Sequence, residues 1–130
     1  MITLEEVLQL HYNSIRDFGG SSGIRDINLL ESSIIRPYQS FENVELYPSA
    51  YAKAAAILHS IVKNHPFVDG NKRTGFLAAF ALLYRAGIEL TASEENAYDF
   101  VINVASSSVS FAEIVVWFSE NTKIIAENNE

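Results

Sequence analysis

Residues 65–87 read HPFVDGNKRTGFLAAFALLYRAG, a polar turn running straight into an apolar segment. Within it, Phe76–Tyr84 is apolar nearly all round. A helix without a polar face sits at the centre of a bundle, with other helices packed on it. The helix is predicted over roughly Asn71–Ala86, because Gly87 is a natural residue just past a helix C-terminus. Upstream, Ser49 to Asn64 is alanine-rich and helical in pattern, with Ala54, Ile57, Leu58, Ile61 and Val62 on the buried face. The turn His65–Gly70 joins these two segments. Phe67 is expected to point into the core and anchor it.

Outward from this pair, the rest also reads as helix. Thr3-Leu-Glu-Glu6 is a capping box opening a helix over residues 3–18, with Leu4, Val7, Leu8, Ile15 and Phe18 apolar. Gly19–Gly23 ends it and reads as a connector, since the Gly-Lys-Ser/Thr ending of a Walker phosphate loop is missing. Asp26 can cap a second helix running to about Arg36, where Pro37 stops it. Residues 37–47 alternate briefly around Val44 and Leu46 and read as an extended loop or small flap. Ser93 can cap a helix to about Ser106, and Ser110-Phe-Ala-Glu113 is a second capping box for a last helix around Trp117. The tail at 126–130 is expected to fray. The fold class is all-α: about six helices around a central apolar helix, with a short flap and almost no strand.

Composition narrows the function. The chain has 130 residues, 9 basic and 16 acidic side chains, a net charge of −7 and 48% apolar residues. That length fits one domain, residues 1–130, with enough chain to bury a core. The lack of cysteine removes disulfides, thiolate metal sites and cysteine nucleophiles. No apolar run reaches the ~18 residues of a membrane span, and the acidic start lacks a signal peptide's basic region. A cytoplasmic protein without membrane contact is the expectation. A pI near 4.9 argues against broad nucleic-acid binding, yet leaves room for one nucleotide, which needs only local positive charge.

Chemistry is concentrated in His65–Arg73. A helix N-terminus there offers free N–H groups and partial positive charge, an anion site. Gly70 permits close backbone approach or positive φ, and Asn71 can fix the turn by hydrogen bonds. Lys72 and Arg73 oppose the helix dipole unless a polyanion offsets them. Asp69 is a hard oxygen ligand suited to Mg²⁺ beside phosphate oxygens, or simply a helix cap. His65 is the nearby base with an ordinary pKa close to neutrality. Base, metal ligand and cationic cradle are the parts that phosphoryl or nucleotidyl transfer needs. His11 and His59 lie on helices without partners nearby in sequence and read as packing residues.

His65–Arg73 resembles the signature of the Fic/Doc proteins, His-x-Phe-x-Asp/Glu-Gly/Ala-Asn-Lys/Gly-Arg, at every fixed position. Six fixed positions meet by chance roughly once in 10⁵ chains of this length. Gly19–Gly23 with Ile24-Arg25-Asp26, then Leu29-Leu-Glu-Ser32 and Arg36-Pro37, is similar to the N-terminal half of the death-on-curing (Doc) toxin type. The resemblance implies a Fic fold and assigns roles. His65 takes the proton of a target hydroxyl. Asp69 holds Mg²⁺. Gly70, Asn71 and Lys72 form the anion-binding turn, and Arg73 grips phosphate. Residues 38–47 form the flap that pairs with the target segment.

Lys72 bears on which reaction this is. AMP-transferring Fic proteins have glycine there and usually a second arginine where Phe76 stands. Lysine fills the space of a close backbone approach and supplies a point charge. The resemblance therefore implies a Doc-like toxin that transfers the terminal phosphate of ATP, or another nucleoside triphosphate, to a Ser or Thr hydroxyl of a protein, with a translation factor as the expected target. AMP transfer is the second reading. A non-catalytic module acting only within a partner complex is the third. Thr91-Ala-Ser-Glu-Glu95-Asn96 loosely matches the inhibitory-glutamate pattern of Fic proteins, but reads as the start of a helix. Inhibition is then expected from an antitoxin protein, which would also carry any DNA binding.

Overall fold

A computed structural model describes residues 1–125. The expected fraying at 126–130 lies outside them. Six α-helices dominate: α1 (Leu4–Phe18), α2 (Ile27–Ile35), α3 (Ala50–Asn64), α4 (Asn71–Arg85), α5 (Glu94–Ala105) and α6 (Phe111–Glu120). Their starts follow local chemistry. Thr3, Asp26, Ser49, Ser93 and Ser110 each accept a hydrogen bond from a first-turn N–H, and Thr3 and Ser110 complete capping boxes with Glu6 and Glu113. Pro37 ends α2 by turning the chain into a 3₁₀ turn, Arg36–Tyr38.

Residues 37–47 do form a flap. Strands β1 (Ser40–Phe41) and β2 (Val44–Glu45) pair antiparallel around Glu42 and Asn43, both at positive φ (50° and 67°). Two such residues make the twisted turn that suits a two-residue hairpin. Lys53 on α3 steadies its base through a 2.7 Å ion pair with Glu45, while Phe41, Val44 and Leu46 stay exposed. A second small sheet has no counterpart in the sequence reading. β3 (Ile88–Leu90) pairs with β4 (Thr122–Ile124), so the segment after α6 returns to the end of α4. Three-residue strands carry no readable period.

Helices α3 and α4 share the centre. Helix α3 is the more enclosed: Ala54 to Leu58, Ser60, Ile61 and Val62 are all buried. Its alanines let neighbours approach closely, and a Cβ on Gly75 of α4 would lie 3.2 Å from Val62. The apolar run of α4 is only partly enclosed, with Phe76 and Leu77 lining a cleft and Tyr84 on the surface. Phe100 stacks on Trp117 at 3.9 Å, and Phe118 meets both edge-on, closing the α5–α6 side.

Glu6 and Arg85 pair across α1 and α4, and Arg85 also donates to the Met1 carbonyl at 3.0 Å. The guanidinium, helped by the Thr3 N–H, pulls the Glu6 carboxyl down to about 2. A carboxylate whose pKa falls on folding contributes stability above its unfolded value and loses it as pH drops toward the folded one. Glu6→Gln is therefore expected to destabilise the protein at pH 7 and to flatten the stability profile between about pH 5 and pH 2. Urea unfolding at stepped pH measures this; a profile parallel to that of the unsubstituted chain would refute it.

Candidate active site

The turn between α3 and α4 is built from unusual backbone. His65 closes α3 in the left-handed region (φ 50°, ψ 57°), and Gly70 precedes α4 at φ 77°. Asn71 locks the turn from inside: it is buried, its Oδ1 accepts the Phe67 N–H at 2.9 Å, and its Nδ2 donates to the Phe67 carbonyl at 3.0 Å. Phe67 is 1% exposed and anchors the turn in the core, as its apolar side chain demands.

Helix α4 starts differently from the other five. Its N-cap is Gly70, which offers no side chain, and no acidic residue lies in its first turn. The Asn71, Lys72 and Arg73 N–H groups stay available, and Lys72 and Arg73 are exposed beside them. This is an anion site by backbone and by charge. Asp69 does not cap α4. Its Oδ1 accepts the Gly70 N–H at 2.9 Å and its Oδ2 the Ser21 N–H at 3.1 Å. Those two N–H groups, with Lys72 and His11 beyond them, hold its carboxyl below the usual carboxylate range. Two of roughly four lone-pair positions remain free on this exposed carboxylate, which suits a Mg²⁺ ion shared with phosphate oxygens. Among the described residues no group of three acidic or histidine side chains could hold a metal alone, so phosphate or water would complete the coordination.

A cleft of about 780 Å³ gathers His65, Asp69, Gly70, Asn71, Lys72 and Arg73. All six residues singled out from sequence thus border one cavity, walled by Phe18, Phe76 and α5. The His65 ring is exposed, and its Nδ1 is 3.5 Å from the donor Asn71 Nδ2, too long to fix the tautomer. Glu94 and Glu95 line the same cleft, whereas the flap does not. The stretch from Thr91 does begin a helix, with Ser93 as its cap. Arg73 pairs with neither glutamate; its guanidinium lies over the Phe18 ring, 4.0 Å from the centroid.

Several residues between 11 and 26 hold the site, a role the sequence reading did not give them. His11 does pack, 6% exposed and stacked on Phe67 at 3.8 Å, but its Nε2 also donates to the Asp69 carbonyl at 2.8 Å. Arg25 donates to the Asn64 and His65 carbonyls, both at 2.6 Å, tying down the end of α3 where His65 sits. The Val68 N–H reaches the Gly23 carbonyl, and the Arg25 and Asp26 N–H groups share that of Pro66. Arginine after a glycine-rich connector was the available signal, since arginine often binds final helix carbonyls. His59 packs as expected: it accepts from Arg36 at Nδ1 (3.1 Å), and burial, then Arg36 and Lys63, pushes its pKa down.

Gly20 explains why the connector is glycine. It sits at φ 112°, and a Cβ there would come within 2.8 Å of Asp69 Oδ2. Gly20→Ala is expected to displace the Asp69 carboxylate and, on the reading of this cleft as a Mg²⁺–nucleotide site, to weaken Mg-ATP binding, while unfolding free energy falls by about 1–2 kcal/mol from backbone strain. Calorimetric titration with Mg-ATP measures the first effect; unchanged affinity would refute it.

A small helical protein with a glycine-capped helix start, an exposed histidine and a carboxylate in one cleft has the parts to place an anion beside a base. Sequence comparison narrows the class. The profile of the Fic/DOC family matches residues 1–83, and the chain belongs to that family. It is 41% identical over 91 residues to Toxin Doc of Mycolicibacterium smegmatis, covering 68% of this chain and 70% of that one. It is 30% identical over 113 residues to Protein kinase doc of Escherichia phage P1, covering 87% and 88%. A Fido domain-containing protein of Dictyostelium discoideum is 33% identical over 72 residues, covering 54% and 50%. No helix among the described residues is long and apolar enough to cross a membrane.

Proposed function

We propose that this protein is a Doc-like toxin that transfers the terminal phosphate of a nucleoside triphosphate to a Ser or Thr hydroxyl of a protein. The observation that carries it is the convergence of His65, Asp69, Lys72, Arg73 and the uncapped start of α4 on one cleft. The α4 N–H groups, Lys72 and Arg73 bind the phosphates and take up charge as it shifts in the transition state. His65 accepts the hydroxyl proton as that oxygen bonds to the terminal phosphorus and the bond to the departing nucleoside diphosphate breaks. Asp69 would hold Mg²⁺, which neutralises phosphate charge when bound. Likeness to a protein named as a kinase supports phosphate transfer, as does Lys72 standing where AMP-transferring relatives have glycine.

The exposed flap offers its edge and the apolar side chains of Phe41, Val44 and Leu46 to an extended target segment. A translation factor is the proposed target, and an antitoxin segment the proposed inhibitor.

Transfer is tested by incubating the protein and a bacterial lysate with ATP labelled at either the γ- or the α-phosphate. Label is expected on protein from the γ position alone. Label from the α position would overturn phosphate transfer in favour of AMP transfer. Growth arrest by the protein, relieved by His65→Ala, is expected; equal effects of both forms would point to a binding module.

A further inference from the structure

The catalytic turn is held from behind by a histidine outside the signature. His11 lies in the third turn of α1, 58 residues from its partner, and is buried. Its ring is nearly parallel to that of Phe67 (6°) and stacked on it, and Nε2 is 2.8 Å from the Asp69 carbonyl oxygen. A carbonyl only accepts, so Nε2 bears the hydrogen. The ring also bounds the space beside Gly70: a Cβ on that glycine would come within 3.6 Å of it.

The other side of the same peptide gives this contact its consequence. In a trans peptide the C=O and the following N–H point in opposite directions. With the Asp69 carbonyl drawn inward to His11, the Gly70 N–H faces outward, where it donates to Asp69 Oδ1 at 2.9 Å. One planar unit thus links a buried imidazole to the carboxylate that borders the cleft. Gly70, free of a Cβ and at φ 77°, could otherwise rotate this unit cheaply.

We infer that His11 is a positioning residue: by anchoring the Asp69 carbonyl it fixes the orientation of the Asp69–Gly70 peptide, and with it the Asp69 carboxylate and the start of the anion-binding turn. The consequence for nucleotide binding rests on the function proposed above. The orientation of the peptide does not.

Three substitutions separate anchoring from packing. His11→Phe keeps the stack on Phe67 and loses the donor. His11→Gln places its amide nitrogen as many bonds from Cα as the histidine Nε2, and restores a donor. His11→Asn ends one bond short. NMR of the full-length protein without ligand reads the Gly70 amide directly. The Phe and Asn variants are expected to shift its resonance and speed its hydrogen exchange, and Gln to return both toward the original values. Mg-ATP titrated into the same samples is expected to bind roughly tenfold more weakly to the Phe variant, the worth of one hydrogen bond. An unchanged Gly70 amide in His11→Phe would overturn the inference. So would a Gln variant indistinguishable from Phe when both remain folded by circular dichroism. If the unsubstituted protein fails to bind Mg-ATP, the proposed function falls, while the Gly70 amide still decides the role of His11.

Discussion

Under the proposed function, His65→Asn is expected to leave the protein folded and able to bind Mg-ATP, yet to lower phosphate transfer by roughly 10²- to 10⁴-fold, the usual share of a positioned general base. Asparagine is the informative substitution because residue 65 occupies the left-handed region at φ 50°. Asparagine tolerates that backbone better than most residues, so the end of α3 keeps its form and the Arg25 bonds to the Asn64 and His65 carbonyls survive. Alanine would remove the base as well, with about 1 kcal/mol more backbone strain. Agreement of the two variants in transfer rate, despite different stabilities, isolates the imidazole. Single-turnover kinetics at saturating nucleotide makes the comparison. A rate within a few-fold of the unsubstituted protein would remove His65 from the chemistry and leave the cleft as a binding site.

The largest effect on stability is expected at Phe67. Truncation to alanine should cost about 3–5 kcal/mol, in the range for a buried aromatic, and lower the melting temperature by on the order of 10–20 °C. The ring is almost wholly enclosed, and its removal strips the face of His11 that it covers. Its backbone N–H and C=O are both held by Asn71, so a cavity there loosens the turn that carries Asp69 and Gly70. Phe67→Leu fills most of the space and should recover more than half of the loss, without restoring the stack. Equilibrium unfolding in urea measures both. A loss below about 1 kcal/mol for alanine would mean that the turn collapses onto the site and that Phe67 is not its anchor.

Much of the site was legible because it is contiguous. His65 to Arg73 lie within one turn and two helix ends, so their convergence follows from helix geometry alone. Helix starts were equally legible, since Thr3, Asp26, Ser49, Ser93 and Ser110 each act within three residues of themselves. The hand-off at Pro37 and the positive φ of Gly70 and Gly87 are local as well. In each case the partner is close in the chain, and spacing implies contact.

What the amino-acid order alone determined, then, is where helices begin and end and that nine contiguous residues, His65 to Arg73, gather the titratable and cationic groups of one turn. The tertiary structure decided what holds those residues. His11 reaches Asp69 across 58 positions, Ser21 across 48 and Arg25 reaches His65 across 40. It also decided that α3 is more deeply enclosed than α4, despite the apolar run Phe76–Tyr84 in the latter, and that β4 returns to β3. Hydropathy reports how much surface a helix must bury, whereas close approach depends on small side chains such as Ala54–Ala56 and Gly75 meeting across two helices. Long-range pairs leave no period along the chain, because packing of whole helices, not spacing, brings them together.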